Sequence, residues 1–345
     1  MKELYNIFLK ANQSILNLIS DKDKLGMSSY KERKLFKDLQ NILTEMNNNA
    51  YSKSQYLISN LFRNSKIEKI FRKLQLTPNE QRIVDRIIDS FMGNVINSSY
   101  VVFNTIKETY KNSLHSANKV LGIDKNEAFI NNFLKDMSNN GITAFTDSRG
   151  RKWGLQTYSD MLIRTTSRMT TNYGVLYTYE HIDLYKISKH GTTCKICAPL
   201  EGRVYSRSGN HPYYPPLSSA FGKIDKFGPN DLSNTYLNIH PNCLHVLIPF
   251  KEDAYSEKEV EEIRQFSSFE TNPPNRDPRS EKQLNNYRNK ENARTRLIND
   301  FKEYQSMKLL LGDQMPKTFQ TFHNHKLSNS PKYDYWKNLY NNTKK

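Results

Sequence analysis

Apolar residues recur at helical spacing over most of this 345-residue chain. Leu4, Ile7, Phe8, Ala11, Ile15, Leu18 and Ile19 fall on one stripe, which predicts an amphipathic first helix. A polar break over 21–29 containing Gly26 ends it. A second helix is expected from Tyr30 to Met46, stopped by Asn47–Asn49, and a third from Ser54 to Leu74. Thr77-Pro-Asn-Glu80 then reads as a strong helix start. Thr77 can accept from the free amides, Pro78 suits the first helical position, and Glu80 completes a capping box. Behind it Ile83, Val84, Ile87, Ile88, Phe91, Val95 and Ile96 predict a long helix reaching about His115. Such a stripe needs partners along its length, and the three preceding helices supply them as a bundle.

The pattern changes beyond a shorter helix over 124–139. Ile142–Phe145 and Arg151–Trp153 flank Asp147-Ser-Arg-Gly150 and read as a hairpin. Thr157-x-x-Asp160 is expected to open a helix to about Tyr179. That helix carries Arg164 and Arg168 one turn apart, where two guanidiniums can grip a phosphate or a carboxylate. Alternation in His181–Ser188, Arg203–Ser206 and His245–Phe250 predicts three short strands. Helices return after a capping box at Ser256-x-x-Glu259 and a linker over 267–279. A second box, Ser280-x-x-Gln283, opens a long charged helix to Leu311, stopped by Gly312. Two short helices, near Thr318–His323 and Tyr333–Tyr340, follow.

All three cysteines fall between Tyr185 and Pro249, in Cys194-Lys-Ile-Cys197 and in His240-Pro-Asn-Cys243-Leu-His245. A C-x-x-C turn aims two sulfurs at one point, and the second cluster adds a third sulfur and two imidazoles. Three sulfurs and one nitrogen make a closed tetrahedral set suited to structural zinc, with no position left for a substrate water. The expected ligands are Cys194, Cys197, Cys243 and His245. Cys243 and His245 share a face of an extended segment. His240 is the alternative, since it would share a turn with Cys243. A redox role lacks a surrounding βαβ pattern, and a disulfide framework is disfavoured by three sparse cysteines.

The expected fold class is therefore α+β and predominantly helical. A helical bundle over 1–140 precedes a small zinc-stabilised α+β domain over 141–255, and a helical region occupies 256–345. A sheet so small buries little apolar surface, so bound metal would add the stability the core lacks.

Composition adds a polyanion to the expected partners. Lys and Arg number 51 against 35 Asp and Glu, a net charge of +16, and mean hydropathy is −0.77. Such a field favours nucleic acid through backbone phosphates, without sequence-specific readout. On the long C-terminal helix, Arg288, Lys290, Arg294 and Arg296 join Arg164 and Arg168 as candidate contacts with nucleic acid or a protein partner. No apolar run approaches the roughly 20 residues that span a bilayer. The N-terminus lacks a signal-peptide pattern, so a protein that is neither secreted nor membrane-bound is expected. Among enzymes, a zinc deaminase needs an H-x-E ahead of its C-x-x-C, and a zincin needs H-E-x-x-H; neither occurs. An HNH-like metal-dependent nuclease, drawing on His190, His211 or His240, is the enzymatic alternative.

Several of these motifs together resemble the phage minor capsid protein 2 family, itself similar to F-like head morphogenesis proteins. They are Gly141-Ile-Thr-Ala-Phe-Thr-Asp147, Gly150-Arg-Lys-Trp153, Arg164-Thr-Thr166, both Cys/His clusters, Pro199-Leu-Glu-Gly202-Arg-Val-Tyr205 and the run Leu311–Phe319. Family members usually carry Arg where this chain has Leu244, so any contact made by that Arg is missing here. The last position of the second cluster tends to be Cys or His in the family, which favours His245 as a ligand. The resemblance implies a non-enzymatic minor head protein of the virion, at the portal or inner capsid. Its expected partners are the portal and other capsid proteins, with non-specific contact to packaged DNA. Its expected role is head morphogenesis and DNA packaging or delivery.

Overall fold

The structure, a computed structural model, describes residues 1–65, 76–120, 124–220 and 238–344. Among the described residues it contains helices α1 (Lys2–Ser20), α2 (Ser29–Asn64), α3 (Pro78–Asn118), α4 (Lys125–Asn140) and α5 (Leu155–Thr178), then α6 (Glu257–Ser267), α7 (Glu281–Leu311), α8 (Phe319–Leu327) and α9 (Pro331–Lys344). Two small antiparallel sheets accompany them. One is the hairpin β1 (Thr143–Thr146) and β2 (Lys152–Gly154); the other has the order β4 (Val204–Ser206), β3 (Leu184–Ile187), β5 (Leu247–Pro249). The predominantly helical α+β class read from the pattern is the class observed.

Local signals place most boundaries. The Thr77 amide donates to Glu80 Oε2 at 2.8 Å and the Glu80 amide to Thr77 Oγ1 at 3.3 Å, the reciprocal box that starts α3. Reciprocal boxes also start α6 at Ser256 and α7 at Ser280. Asp124 caps α4, and Gly141 closes it at φ 67°, a conformation that costs glycine little.

Two expectations need correction. The Asn47–Asn49 cluster does not stop a helix, because α2 runs unbroken from Ser29 to Asn64. Each asparagine costs about 0.7 kcal/mol of helix propensity. Against that, Leu43, Met46, Ala50, Ile58 and Phe62 continue one buried stripe, and Asn47 accepts a 2.7 Å bond from Ser99. Residues 66–74 of the expected third helix lie outside the described residues. Second, α5 starts at Leu155, two residues before Thr157, because β2 passes straight into it and Leu155 is buried.

The chain divides into two compact units. The first comprises Met1, 53–91 and 161–292; the second comprises 2–52, 92–160 and 293–345. In the second, Tyr110 meets Phe36, Phe129 and Phe133 edge-on, with its hydroxyl donating to Gly26 O at 2.5 Å. A second aromatic group, Tyr304, Phe322 and Trp336, joins α7, α8 and α9.

In the first unit the three-stranded sheet packs Val204, Tyr214 and Phe250 together with Leu184 and Ile263. Arg203, 3% exposed, has no carboxylate among its described partners. Its guanidinium donates instead to main-chain carbonyls: Pro199 at 2.6 Å, Phe266 at 3.0 Å and Asn272 at 2.6 Å, with Ser267 and Ser268 near 3.5 Å. Three of these acceptors end α6, where the helix dipole is negative and favours a cation. Phe266 and Phe269 add their ring faces. Elsewhere in this unit Gly174 of α5 lies against the end of α2. A Cβ there would fall 1.7 Å from Ser65 Oγ and 3.0 Å from Phe62 O.

Two stability outcomes follow in chemical denaturation. Gly174→Ala should lose about 1–3 kcal/mol through overpacking against main chain, while Gly93→Ala, with open space around it, should be neutral or gain about 0.5 kcal/mol; equal effects would refute the close approach. Arg203→Lys should cost about 2–4 kcal/mol, since an ammonium cannot reach so many carbonyls at once, and a loss below about 0.5 kcal/mol would contradict that role.

Candidate metal centre

Strand pairing brings the two Cys/His segments together. The C-x-x-C loop leaves the end of β3 and returns through β4, while the second cluster immediately precedes β5. Because β5 runs antiparallel to β3, pairing Ile187 with Leu247, the start of β5 lies beside the end of β3. The Ser188 amide extends that pairing to Val246 O at 3.0 Å.

Each loop is then fixed by its own bonds. In the first, Ala198 N donates to Cys194 O at 3.0 Å and Leu200 N to Cys197 O at 2.9 Å. Arg279 and Lys290 hold its approach by donating to Thr193 O (3.0 Å) and Thr192 O (3.3 Å). In the second, Cys243 N donates to His240 O at 3.0 Å, with Pro241 and Asn242 between them and Asn242 at φ 67°. That is a type II turn, which takes Pro at its second position and Gly or Asn at its third. Helix α5 anchors it: Thr165 Oγ1 accepts from Asn242 N at 3.3 Å, and Asn172 Oδ1 accepts from Leu247 N at 3.0 Å.

Three sulfurs and two imidazoles converge as a result. His240 Nε2 lies 3.2 Å from Cys194 Sγ and 3.1 Å from Cys197 Sγ. Cys197 Sγ is 3.9 Å from Cys243 Sγ, which is 3.2 Å from His245 Nδ1. The donors form two overlapping trios, Cys194–Cys197–His240 and Cys197–Cys243–His245, each with all its donor atoms within 4.8 Å of one another. Zinc bonds of about 2.3 Å to sulfur and 2.0 Å to nitrogen imply tetrahedral edges of about 3.8 Å between sulfurs and about 3.5 Å between sulfur and nitrogen. The four edges observed agree to within about half an ångström, so each trio, sharing Cys197 with the other, could hold a zinc-sized ion.

Both histidines are oriented from behind. His240 Nδ1 donates to Pro241 O at 2.6 Å. His245 Nε2 lies 2.5 Å from Glu201 Oε1, a buried carboxylate that also accepts from His190 N at 2.9 Å. Outer contacts of this kind fix tautomer and ring direction at metal centres. Burial works to lower the His245 pKa, but hydrogen bonds to Cys243 and Glu201 outweigh it and raise it to about 9. Cys197, beside it and against the penalty of burial, draws the Cys194 thiol down to about 3 and the Cys243 thiol to about 4, with His240 and His245 assisting respectively. Cys197 itself is pushed up by those same two hydrogen bonds. Cys194 and Cys243 are thus favoured as thiolates, the form that binds metal, while Cys197 is held as the thiol between them.

The remaining candidates are more scattered. His190 stacks edge-on against His245 at 4.7 Å, whereas His211 lies beside Tyr213 and Tyr214. Arg164 is exposed and Arg168 half-buried on α5. On α7, Arg288 and Arg296 are exposed, while Lys290 and Arg294 are half-buried. Sequence reading gave no role to Glu201, Arg203, Thr165, Asn172 or Arg279. Glu201 and Arg203 share the Pro199–Tyr205 motif with Gly202 at φ 73°, and that tight turn between two charged residues was the available signal.

No curated protein and no solved structure matches the chain. A family profile does, over residues 18–322, and its description is phage minor capsid protein 2. With that match spanning most of its length, the chain belongs to the phage minor capsid protein 2 family.

Proposed function

We propose that this capsid protein is a structural minor head component. It binds the portal or inner capsid through its helices and serves head assembly and DNA packaging or delivery. Family membership implies a place in the virion and contact with other capsid proteins. The observation that supports the finer reading is the approach of five Cys and His donors from two segments, as two ion-sized trios that share Cys197. A closed donor set of this kind holds a fold together instead of turning over a substrate. No helix among the described residues is long and apolar enough to cross a membrane.

Zinc is the metal we assign, held by Cys194, Cys197, Cys243 and one histidine. The geometry favours His240, whose Nε2 makes edges with two sulfurs. His245, bonded on both sides, then acts as an imidazolium between the Cys243 thiolate and the Glu201 carboxylate. Bound metal would supply stability to a sheet whose strands are three or four residues long. Arg164, Arg168, Arg288, Lys290, Arg294 and Arg296 remain candidate contacts for partners, within a net charge of +16 that suits packaged DNA. Lys290 has the weakest claim, because its ammonium already holds the Thr192 carbonyl.

Elemental analysis should find one zinc per chain, lost in Cys194→Ser. Affinity should fall about 100-fold in His240→Ala and about tenfold in His245→Ala; the reverse order would move the ligand to His245, and no bound metal would remove the centre. In a second experiment the protein should co-sediment with its portal protein after nuclease treatment and leave plasmid DNA intact with or without divalent metal. Nicking abolished by His240→Ala would replace the structural reading with the nuclease one.

A further inference from the structure

We infer that the second unit carries a binding site for a short acidic peptide segment of a partner protein, separate from the metal centre. The site is a cavity of about 390 Å³ where the end of α4, the β1–β2 hairpin, the start of α5 and the middle of α7 meet. That volume is in the range of ligand-binding pockets. It is part of the second unit alone, and Ser138 and Ser306 hold its α4 and α7 walls together. Ser306 Oγ donates to Ser138 O at 2.8 Å, and Ser138 Oγ donates back to Ser306 O at 3.3 Å.

Three observations define the occupant. The first is charge. Lys152 and Lys302 line the cavity and are exposed, and none of the described residues lining it is acidic. Gln156 and Thr157 of the cavity wall belong to the first turn of α5, which contains no acidic residue. The positive end of that 24-residue helix is therefore uncompensated by its own sequence and favours an anion.

The second is an unmet hydrogen-bonding need. Gln156 is 8% exposed, and both its carboxamide oxygen and nitrogen are buried without a partner. A buried amide left so costs about 1–3 kcal/mol, and groups of this kind call for a ligand or another explanation. A main-chain amide offers one donor and one acceptor, the complement a carboxamide requires. A carboxylate or a phosphodiester offers acceptors only.

The third is shape and polarity. Phe301 provides an apolar wall beside the polar Gln305, which suits a side chain flanking the carboxylate. Single-stranded nucleic acid would call for a track of cations along its backbone, and this cavity has two lysines. Peptide with an Asp or Glu side chain satisfies all three requirements. Its carboxylate goes to the lysines and the helix end, and its main chain goes to Gln156.

The test uses the full, metal-loaded chain and a set of fluorescein-labelled short peptides, each with two acidic residues and one leucine, read by anisotropy. Binding should appear for members of this set and disappear in their Asn/Gln counterparts. Lys302→Glu should weaken it about tenfold or more, and Gln156→Leu, which keeps volume and removes an unpartnered amide, should weaken it about threefold to tenfold without lowering thermal stability. Lys282→Glu, on α7 outside the cavity, should change affinity less than about twofold. Chelating the metal from a folded sample is not required for the readout, so failure here would leave the zinc assignment standing, and loss of zinc would not mimic failure. The inference is overturned if no acidic peptide binds, if Lys302→Glu and Gln156→Leu bind as well as the unaltered protein, or if an oligothymidylate displaces the peptides and loses its own affinity in Lys302→Glu.

Discussion

Antiparallel pairing of β3 with strands on both sides is the constraint on which the Cys/His centre depends. The strands are three or four residues long, so their ladders supply few hydrogen bonds. Their contribution is positional. With β5 beginning where β3 ends, Cys197 and Cys243 meet although 46 residues separate them. Without that pairing the donors would be two independent loops, and gathering them would carry the full closure entropy of the intervening chain.

Around this centre the buried charges are matched by very different means. Glu201 is met by the imidazole of His245 and the amide of His190. Arg203, two residues later, is met among the described residues by carbonyl oxygens and aromatic faces. One tight turn at Gly202 thus sends an anion toward the sulfurs and a cation toward the end of α6. Desolvating both is costly unless every donor and acceptor is met. Their contacts therefore define one arrangement of loop, helix and linker and penalise alternatives. In the second unit, Lys308 is buried at the end of α7 with its ammonium on Gly312 O at 3.0 Å and the Asp313 carboxylate at 3.8 Å.

What could be read from the sequence was what is decided locally or by rarity. Thr77 and Glu80, Ser256 and Glu259, and Ser280 and Gln283 each satisfy one another across a single turn, so their spacing alone marks a helix start. The three cysteines were legible because the chain has no others. Asn47 misled because its side chain is used by Ser99, 52 residues away, a partner no local window contains. The roles of Glu201 and Arg203 were hidden for the same reason: their partners lie 44 and 63–69 residues along the chain. Ring direction, on which the proposal of His240 over His245 rests, follows from the Pro241–Asn242 turn and from Glu201. Spacing along an extended segment could not express either influence.

The left-handed backbone at Asn242 carries an evolutionary corollary. Tolerance at this site is set by conformational kinship, because only residues at ease with positive φ keep His240 and Cys243 facing inward. Drift among homologous chains should therefore exchange Asn242 for Gly freely and for Val or Ile hardly ever, although valine resembles its neighbours in size. A position whose side chain takes no part in the Cys/His cluster can in this way be as restricted as the cysteines and histidines around it.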